Sequence, residues 1–275
     1  METNISSKEK EVQEEPGYIF GSKSVDSFFL TIAGLAGFSI EFFKNVFIPP
    51  YEFSEVKKHI ESLGIKTMPI VTVTGFIIGL VLAIQSQPVL ARFGAESFLP
   101  SMVSLSVFRE LGPVITALIF AGRVSSGIGA ELGSMRVTEQ IDAMEVSAIH
   151  PFKFLVVTRI LSCIIVLPLL TLYVNFLALI GGYIAIALSS GMSFQLYLNS
   201  VFRSVMFGDF LPGFLKTFIF GYIVGLVGTY KGYNARNGTA GVGEASTTSV
   251  VISSLIILIF DMVLAKITIW LWPTV

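Results

Sequence analysis

The chain has 275 residues, of which 13% are charged and 53% are hydrophobic, and its formal net charge is −1. Soluble domains contain about a quarter charged residues, so this chain has roughly half of the usual share. A soluble fold of this length cannot bury so much apolar surface, which excludes a soluble enzyme, a nucleic-acid-binding domain and a disordered protein. The composition instead predicts an all-α membrane protein that crosses the bilayer several times.

The first part of the chain differs from the rest in composition. Residues 1–23 contain five glutamates and three lysines, and they lack the basic and apolar regions of a secretory signal, so we predict a solvated, disordered tail. Within residues 24–66, a stretch rich in Phe and Leu is interrupted by Asp26, Glu41 and Lys44. These charges favour a helix that lies in the membrane interface, or enters the bilayer partway, over a complete span. Residues 53–65 then predict a short amphipathic helix on the polar side.

Residues 67–275 contain five apolar stretches, each long enough to cross a bilayer at about 20 residues per span. The uncharged run at 160–202 is too long for one span, and we interpret it as one long helix to about Leu188 followed by a short apolar segment. The spans are predicted at 67–91, 98–122, 160–188, 210–230 and 247–272. Glycines four residues apart, such as Gly75 and Gly79 or Gly221 and Gly225, predict close packing between helices.

The orientation follows from the lysines and arginines of the short loops, which remain on the cytoplasmic side. Eight of these residues fall on one side of the predicted spans and two fall on the other. The eight are Lys57, Lys58, Lys66, Arg136, Lys153, Arg159, Lys231 and Arg236, and the two are Arg92 and Arg203. The excess predicts a cytoplasmic N-terminus and a C-terminus outside the cytoplasm. A helical hairpin within 160–202 would give a sixth span, and the basic residues disfavour it.

Charged residues within the apolar stretches are the first candidates for function. Arg109 and Glu110 interrupt the second span, and a charge in that position is costly unless it is paired or faces water. Neighbouring positions of a helix point about 100° apart, so these two side chains need not pair with each other. Candidate partners or companions, which could line the same cavity, are Asp209, Lys216, Asp261 and the neutral Gln85. Alternatively, Arg109 and Glu110 lie near a helix end and reach the interface, and Gln85 only caps its span.

The polar segment at about 131–150 predicts a short cytoplasmic helix with one apolar stripe. The stripe contains Leu132, Met135, Ile141, Met144 and Ala148, and the other faces carry Arg136, Glu139, Gln140, Asp142 and Glu145. Two exposed methionines on such a helix are typical of a docking element for a soluble partner. The alternative is a helix that rests on the membrane surface, which its small number of basic residues disfavours.

The chain contains no motif for hydrolysing ATP or peptide bonds. It lacks the phosphate-binding pattern G-x-x-x-x-G-K-[ST] and also H-E-x-x-H, G-x-S-x-G and C-x-x-C. We therefore expect a non-enzymatic protein without a cofactor or metal of its own. Any energy source must be a partner protein or an ion gradient.

Two long stretches resemble a known family. The run FRELGPVITALIFAGRVSSGIGAELGSMRVTEQIDAMEVSAIHP, residues 108–151, and the run YKGYNARNGTAGVGEASTTSVV, residues 230–251, are similar to the MlaE-type (YrbE/MlaE family) permeases. These are the membrane subunits of ABC transporters that move phospholipids between the inner and outer membranes and maintain outer-membrane lipid asymmetry. The resemblance extends from the helix near Val25 to the C-terminus.

The resemblance implies a homodimeric permease in the bacterial inner membrane, with a periplasmic C-terminus. It implies that a cytoplasmic ABC ATPase subunit binds ATP and docks on the coupling residues Arg136, Glu139, Gln140, Asp142 and Met144. It further implies a lipid cavity near Arg109, Glu110, Gln85, Lys216, Asp209 and Asp261. A periplasmic hexamer of MCE domains and a small STAS-domain subunit usually complete such systems.

Two other functions stay open at this point. One is a secondary transporter driven by an ion gradient, with Glu110 or Asp261 as a proton relay. The other is a membrane scaffold that anchors a periplasmic ring and transports nothing.

Overall fold

A computed structural model describes residues 23–49 and 51–271, and this part of the chain is helical without any strand. The polar tail predicted at 1–23 therefore lies, except for its last residue, outside the described residues. The helices are α1 (Lys23–Val46), α2 (Phe53–Arg92), α3 (Glu96–Val137), α4 (Gln140–Val146), α5 (Phe152–Ser190), α6 (Phe194–Ser204), α7 (Phe207–Tyr233) and α8 (Gly238–Leu271).

Over the described ranges, five helices are long and apolar enough to cross a membrane: α2, α3, α5, α7 and α8. This confirms the predicted multi-span, all-helical architecture. The helix predicted near Val25 is present as α1, although its position relative to the membrane stays a prediction. The described residues up to Glu41 form one compact unit, and those from Phe42 onward form a second unit that contains all five long helices.

Two predicted boundaries do not interrupt the backbone. The short helix expected at 53–65 is the first part of α2, which continues to Arg92. Its charges pair within the helix, as in the ion pair of Lys58 with Glu55, and such pairs stabilise helical backbone. A change from polar to apolar side chains along the sequence therefore does not mark the end of a helix. The second span, predicted to end at Gly122, likewise continues as α3 to Val137.

The uncharged run 160–202 is divided as predicted. Helix α5 continues to Ser190 and stops at Gly191, whose φ of +67° is a left-handed conformation that glycine adopts without steric cost. The short helix α6 then begins after Ser193, whose hydroxyl accepts a hydrogen bond from the backbone N–H of Leu196 at 3.4 Å.

Small residues set the packing of the long helices. A side chain at Gly79 would overlap the carbonyl oxygen of Ala178, so α2 and α5 touch through their backbones. Helix α7 contacts α5 in the same way at Gly221 and α3 at Gly228. Helix α8 is joined to α3 where the Ser249 hydroxyl donates to the carbonyl of Ser125 at 3.0 Å. The glycines noted in the sequence therefore form packing contacts within one chain.

The order of these contacts gives the bundle two ends. The first end is formed by the start of α2 and the connections 137–152 and 233–238, and we call it the α4 end. The second is formed by the connections 92–96 and 190–207, and we call it the α6 end. Between them lies an apolar core that includes Val71, Val103, Leu132, Ile160 and Phe220.

Candidate functional site

Arg109 and Glu110 lie in a π-helical turn, Val107–Leu111, within α3. Pro113 follows this turn and has no N–H to donate to the carbonyl of Arg109, and its ring would collide with that carbonyl in a regular helix. The wider π turn accommodates the proline. A local feature of the sequence therefore places the two charged residues on a distorted part of the helix.

Helices α5 and α7 pack closely against the π turn. A side chain at Gly213 of α7 would overlap the carbonyl oxygen of Phe108, and one at Gly112 would overlap the side-chain oxygen of Asn175 on α5. That oxygen of Asn175 is buried and has no hydrogen-bond partner among the described residues. The turn is thus clamped between α5 and α7.

Arg109 pairs with Asp209 at the start of α7. Its Nε donates to Oδ1 of Asp209 at 2.7 Å, and its Nη2 donates to the same oxygen. The second carboxylate oxygen, Oδ2, accepts the backbone N–H of Met206 at 2.9 Å and so caps the first turn of α7. Asp209 is buried, whereas 38% of the Arg109 side chain is exposed. An arginine has five N–H donors, so three remain available for a ligand.

Glu110 pairs with a different residue of α7. Nζ of Lys216 donates to both carboxylate oxygens of Glu110 at 2.8 Å, and to Oδ1 of Asp261 on α8 at 3.1 Å. Lys216 is buried, but 44% of the Glu110 side chain is exposed. Asp209 and Lys216 are seven residues apart on α7 and share one face. Asp209 and Lys216 on α7 are therefore buried, and Arg109 and Glu110 on α3 face the open space.

The open space is a cavity of about 240 Å³ between α3, α7 and α8. Its walls include Arg109, Glu110, Asp209, Lys216 and Ile269. A second cavity of about 150 Å³ adjoins it and shares Pro212, Lys216 and Thr268 with it, and its other walls are leucine and isoleucine side chains. A charged compartment next to an apolar one suits a molecule that has a charged head and a hydrocarbon tail.

The structure brings together five of the six predicted cavity residues and leaves one apart. Arg109 and Asp209 form one ion-pair group, and Glu110, Lys216 and Asp261 form a second group beside it. Of these residues, Arg109, Glu110, Asp209 and Lys216 line the cavity, and Asp261 contacts Lys216 from outside its walls. Gln85 lies on α2, is exposed, and is not part of the walls of either cavity. Gln85 lies on a helix that packs mainly on α5. The sequence of a single span does not show which helix will be its neighbour.

The predicted coupling segment is shorter than expected. The residues 131–137 complete α3, and only Gln140–Val146 form the separate helix α4. Glu139 between them has a φ of +58°, an uncommon conformation for a residue other than glycine. This left-handed residue turns the chain sharply, so that the Arg136 guanidinium reaches and pairs with Asp142.

The exposed surface of this segment also differs from the prediction. Met135 and Met144 are half-buried, and Ile141 is fully buried. Glu139, Gln140 and Asp142 are exposed, together with Val146, which is 90% exposed. The segment therefore presents polar groups and the aliphatic side chains of Val146 and Ile149 instead of two methionines.

One charge within a long apolar helix was missed in the sequence. Arg123 lies in a second π-helical turn of α3, Ala121–Ser125, just past the span end predicted at Gly122. It lines a third cavity, of about 570 Å³, near the α4 end. Arg109 was selected because a charge within an apolar span is a candidate for function. The same rule selects Arg123 when the span is extended by one residue beyond Gly122.

Comparisons with known proteins identify a family of permeases. A family model described as Permease MlaE matches residues 56–267. A "Probable ABC transporter permease protein" of Rickettsia bellii is 38% identical over 229 residues, 83% of this chain and 88% of the relative. The "Intermembrane phospholipid transport system permease protein MlaE" of Haemophilus influenzae is 35% identical over 219 residues, 78% of this chain and 83% of the relative. The chloroplastic protein TRIGALACTOSYLDIACYLGLYCEROL 1 of Arabidopsis thaliana is 30% identical over 209 residues, 76% of this chain and 60% of the relative.

Proposed function

The chain belongs to the MlaE permease family, and on that premise we propose that it is the membrane subunit of an ABC transporter that moves phospholipids between the inner and outer membranes. ATP is hydrolysed by a separate subunit. The relative from Haemophilus influenzae bears the name of such a permease. The chain itself is a multi-pass membrane protein with five long apolar helices over its described ranges.

The observation that carries this proposal is the charged cavity beside the apolar one. Arg109 is partly exposed and retains three donors for a phosphate group, since only its Nε and one N–H of Nη2 bind Asp209. The leucines of the adjoining cavity can receive the first part of an acyl chain. Exposing that chain to water would cost about 0.8 kcal/mol per CH₂ group. A route with apolar walls avoids this cost.

The ion pairs also define how the cavity can respond to a lipid. A phosphate that binds the three free N–H groups of Arg109 also draws the guanidinium away from Asp209, the same carboxylate that caps α7. Lipid binding would therefore weaken the hold of α3 on the start of α7. We propose that this coupling lets the cavity open and close as α3 and α7 separate and rejoin.

The energy source in this proposal is a cytoplasmic ABC ATPase that docks at the α4 end. The chain has no phosphate-binding motif of its own, and Glu139, Gln140 and Asp142 form an exposed polar surface there. Closure of the ATPase subunits would move α4, and α4 is joined to α3 by the ion pair of Arg136 with Asp142. Motion would then reach Arg109 along one continuous helix.

The remaining parts of the proposal are the assembly and its orientation. We propose a homodimer whose α4 ends face the cytoplasm and whose C-termini face the periplasm. A periplasmic hexamer of MCE domains would accept or deliver lipid there, with a small STAS-domain subunit on the cytoplasmic side.

A proton-coupled secondary transporter is the second candidate, because one specific observation favours it. Glu110, Lys216 and Asp261 form a chain of two carboxylates joined by one buried ammonium group, and such chains occur in proton relays. That function requires an ion gradient and no ATP. Transport assays can therefore separate the two candidates.

The first experiment is native mass spectrometry of the protein purified gently from its own membranes. The proposal predicts two copies of this chain, two copies of an ATPase and bound phospholipid. A single chain without ATPase or lipid, found in several mild detergents, would contradict it.

The second experiment measures transport in proteoliposomes that contain the purified complex and a fluorescent phospholipid. Transfer to acceptor vesicles should require ATP and persist when a protonophore removes the proton gradient. Transfer that continues without ATP but stops with the protonophore would establish the proton-coupled alternative instead. For the variant Arg109→Gln, which removes a positive charge from the cavity, the control is Arg92→Gln, at an exposed arginine of the 92–96 connection.

A further inference from the structure

The cavity near the α4 end is large and its walls are charged. Its volume is about 570 Å³, within the roughly 300–1,000 Å³ range of small-molecule sites. The walls come from the first part of α2, the part of α3 between Arg123 and Glu131, and the start of α5, all of which belong to the unit that begins at Phe42. It shares no wall residue with the cavity at Arg109.

Positive charge exceeds negative charge in this cavity. Its cationic wall residues are Lys58, Lys66, Arg123 and Arg159, and its acidic wall residues are Glu55 and Glu131. Glu55 pairs with Lys58, and Glu131 pairs with Arg159. Among the described residues, Lys66 and Arg123 pair with no carboxylate. Two positive charges are therefore left without a counter-ion.

Arg159 supplies an observation that points to a ligand. Its side chain is only 5% exposed, and its Nη1 and Nη2 donate to the carbonyl of Leu155 at 2.9 Å and to Oε1 of Glu131 at 2.8 Å. Its Nε is buried and has no hydrogen-bond partner among the described residues. An unsatisfied buried donor of a charged group is costly, and an anion in the cavity would satisfy it.

The depth of the cavity favours a phosphate group at the membrane surface. Lys66 is the last charged residue of α2 before 25 uncharged positions, 67–91, which span about 38 Å at about 1.5 Å per residue. The hydrocarbon core of a bilayer is about 30 Å thick. Lys66 therefore lies at one boundary of the apolar layer, where the phosphates of one leaflet lie. Arginine binds phosphate through paired N–H groups, and Arg123 and Arg159 both line this cavity.

We propose that this cavity is a second anion site, which binds a phosphate ester between Arg123, Arg159 and Lys66. The phosphate can belong to the headgroup of an acidic phospholipid in the leaflet at the α4 end, or to a soluble phosphate compound. The site lies near the α4 end of the bundle, whereas Asp209 caps the start of α7 at the α6 end. Phosphate binding at this site therefore does not depend on the proposed lipid transport.

The test uses the full-length chain in detergent and native mass spectrometry. The lipid probe is dioleoylphosphatidylglycerol, and dioleoylglycerol, which has no phosphate, is its control. A double variant, Arg123→Gln with Lys66→Gln, removes both unpaired charges. The matched control, Arg92→Gln with Lys57→Gln, removes the same two residue types from exposed positions outside the cavity. Any lipid bound near Arg109 contributes equally to both double variants.

We expect the first double variant to bind phosphatidylglycerol about tenfold more weakly, since at least one charge-assisted hydrogen bond is lost. The control variant should bind within about twofold of the unmodified chain. Glu131→Gln should bind more tightly, because it removes the carboxylate that competes for Arg159. A misfolded protein cannot produce that increase.

A second measurement, with inorganic phosphate in solution, identifies the source of the phosphate. Melting temperatures are compared in inorganic phosphate and in chloride at equal ionic strength. A rise in phosphate that the Arg123→Gln, Lys66→Gln variant lacks would support a soluble ligand, and a lipid response alone would support a headgroup. Equal phosphatidylglycerol binding by both double variants, with no response to phosphate, would overturn the proposal.

Discussion

Nζ of Lys216 lies 2.8 Å from each carboxylate oxygen of Glu110, although the two residues are 106 positions apart in the sequence. The lysine is buried and the glutamate is partly exposed. The same ammonium group also holds Asp261, so one residue of α7 joins α3 and α8. This arrangement makes Lys216 the structural centre of the charged cluster.

Replacing Lys216 with methionine should destabilise the protein by about 3 kcal/mol, because Glu110 and Asp261 lose the buried cation that binds both of them. The free energy of unfolding can be measured by denaturant titration in a fixed detergent. Lys266→Met is the control, since Lys266 is exposed on α8 and has no ion pair among the described residues. Adding Glu110→Gln to the Lys216 variant should recover part of the loss. An unchanged stability of the Lys216 variant would contradict the assigned role.

Arg109→Gln should lower the amount of phospholipid that copurifies with the complex by about tenfold, because a charge-assisted hydrogen bond to phosphate is lost. Arg109→Lys should give an intermediate result, since lysine keeps the charge but lacks the planar fork of donors. Lipid per protein chain is measured by mass spectrometry. If Arg109→Gln and the Arg92→Gln control retain equal lipid, Arg109 does not bind the headgroup.

Alanine at both Glu139 and Gln140 should abolish ATP-dependent lipid transfer while leaving the fold intact, because both side chains are exposed. The readouts are lipid transfer and stimulation of the ATPase by the permease. The matched control, Glu96→Ala with Gln195→Ala, changes the same residue types at the α6 end. Unchanged transfer in the Glu139, Gln140 variant would remove the docking role from these residues.

Gly79→Ala should strongly destabilise the contact between α2 and α5, since its methyl group would overlap the carbonyl oxygen of Ala178. Gly64→Ala on the same helix meets no atom within 4 Å and should stabilise by up to about 1 kcal/mol through helix propensity. Melting temperatures of the two variants should therefore shift in opposite directions. A similar shift in both would show that helix propensity, and not packing, controls stability at Gly79.

The orientation can be tested with single cysteines, because the native Cys163 is fully buried. Gln195→Cys in α6 should react with a membrane-impermeant thiol reagent in cells with a permeable outer membrane. Val146→Cys in α4 should react only after the inner membrane is opened. The reverse pattern would place the C-terminus in the cytoplasm and contradict the count of basic residues.

The number of long helices was predictable from the sequence, because the bilayer demands about 20 apolar residues per span whatever the neighbouring helices are. Their limits were only partly predictable, since α2 begins before the first predicted span and α3 continues beyond the second. The charges at Arg109, Glu110, Lys216 and Asp261 were visible for the same reason: each interrupts an apolar run. These features depend on local composition alone. The family resemblance also rested on contiguous residues, and the comparisons confirmed it.

Only the tertiary structure decided which charges meet. Arg109 pairs with Asp209 and Glu110 with Lys216 because the glycines of α7 bring that helix against α3 in one register. The same packing leaves Gln85 away from the cavity and brings Arg123 and Arg159 to another. Packing depends on backbone approach between distant segments, and hydropathy does not encode that approach. The sequence thus determined the spans, and the contacts between spans determined the sites.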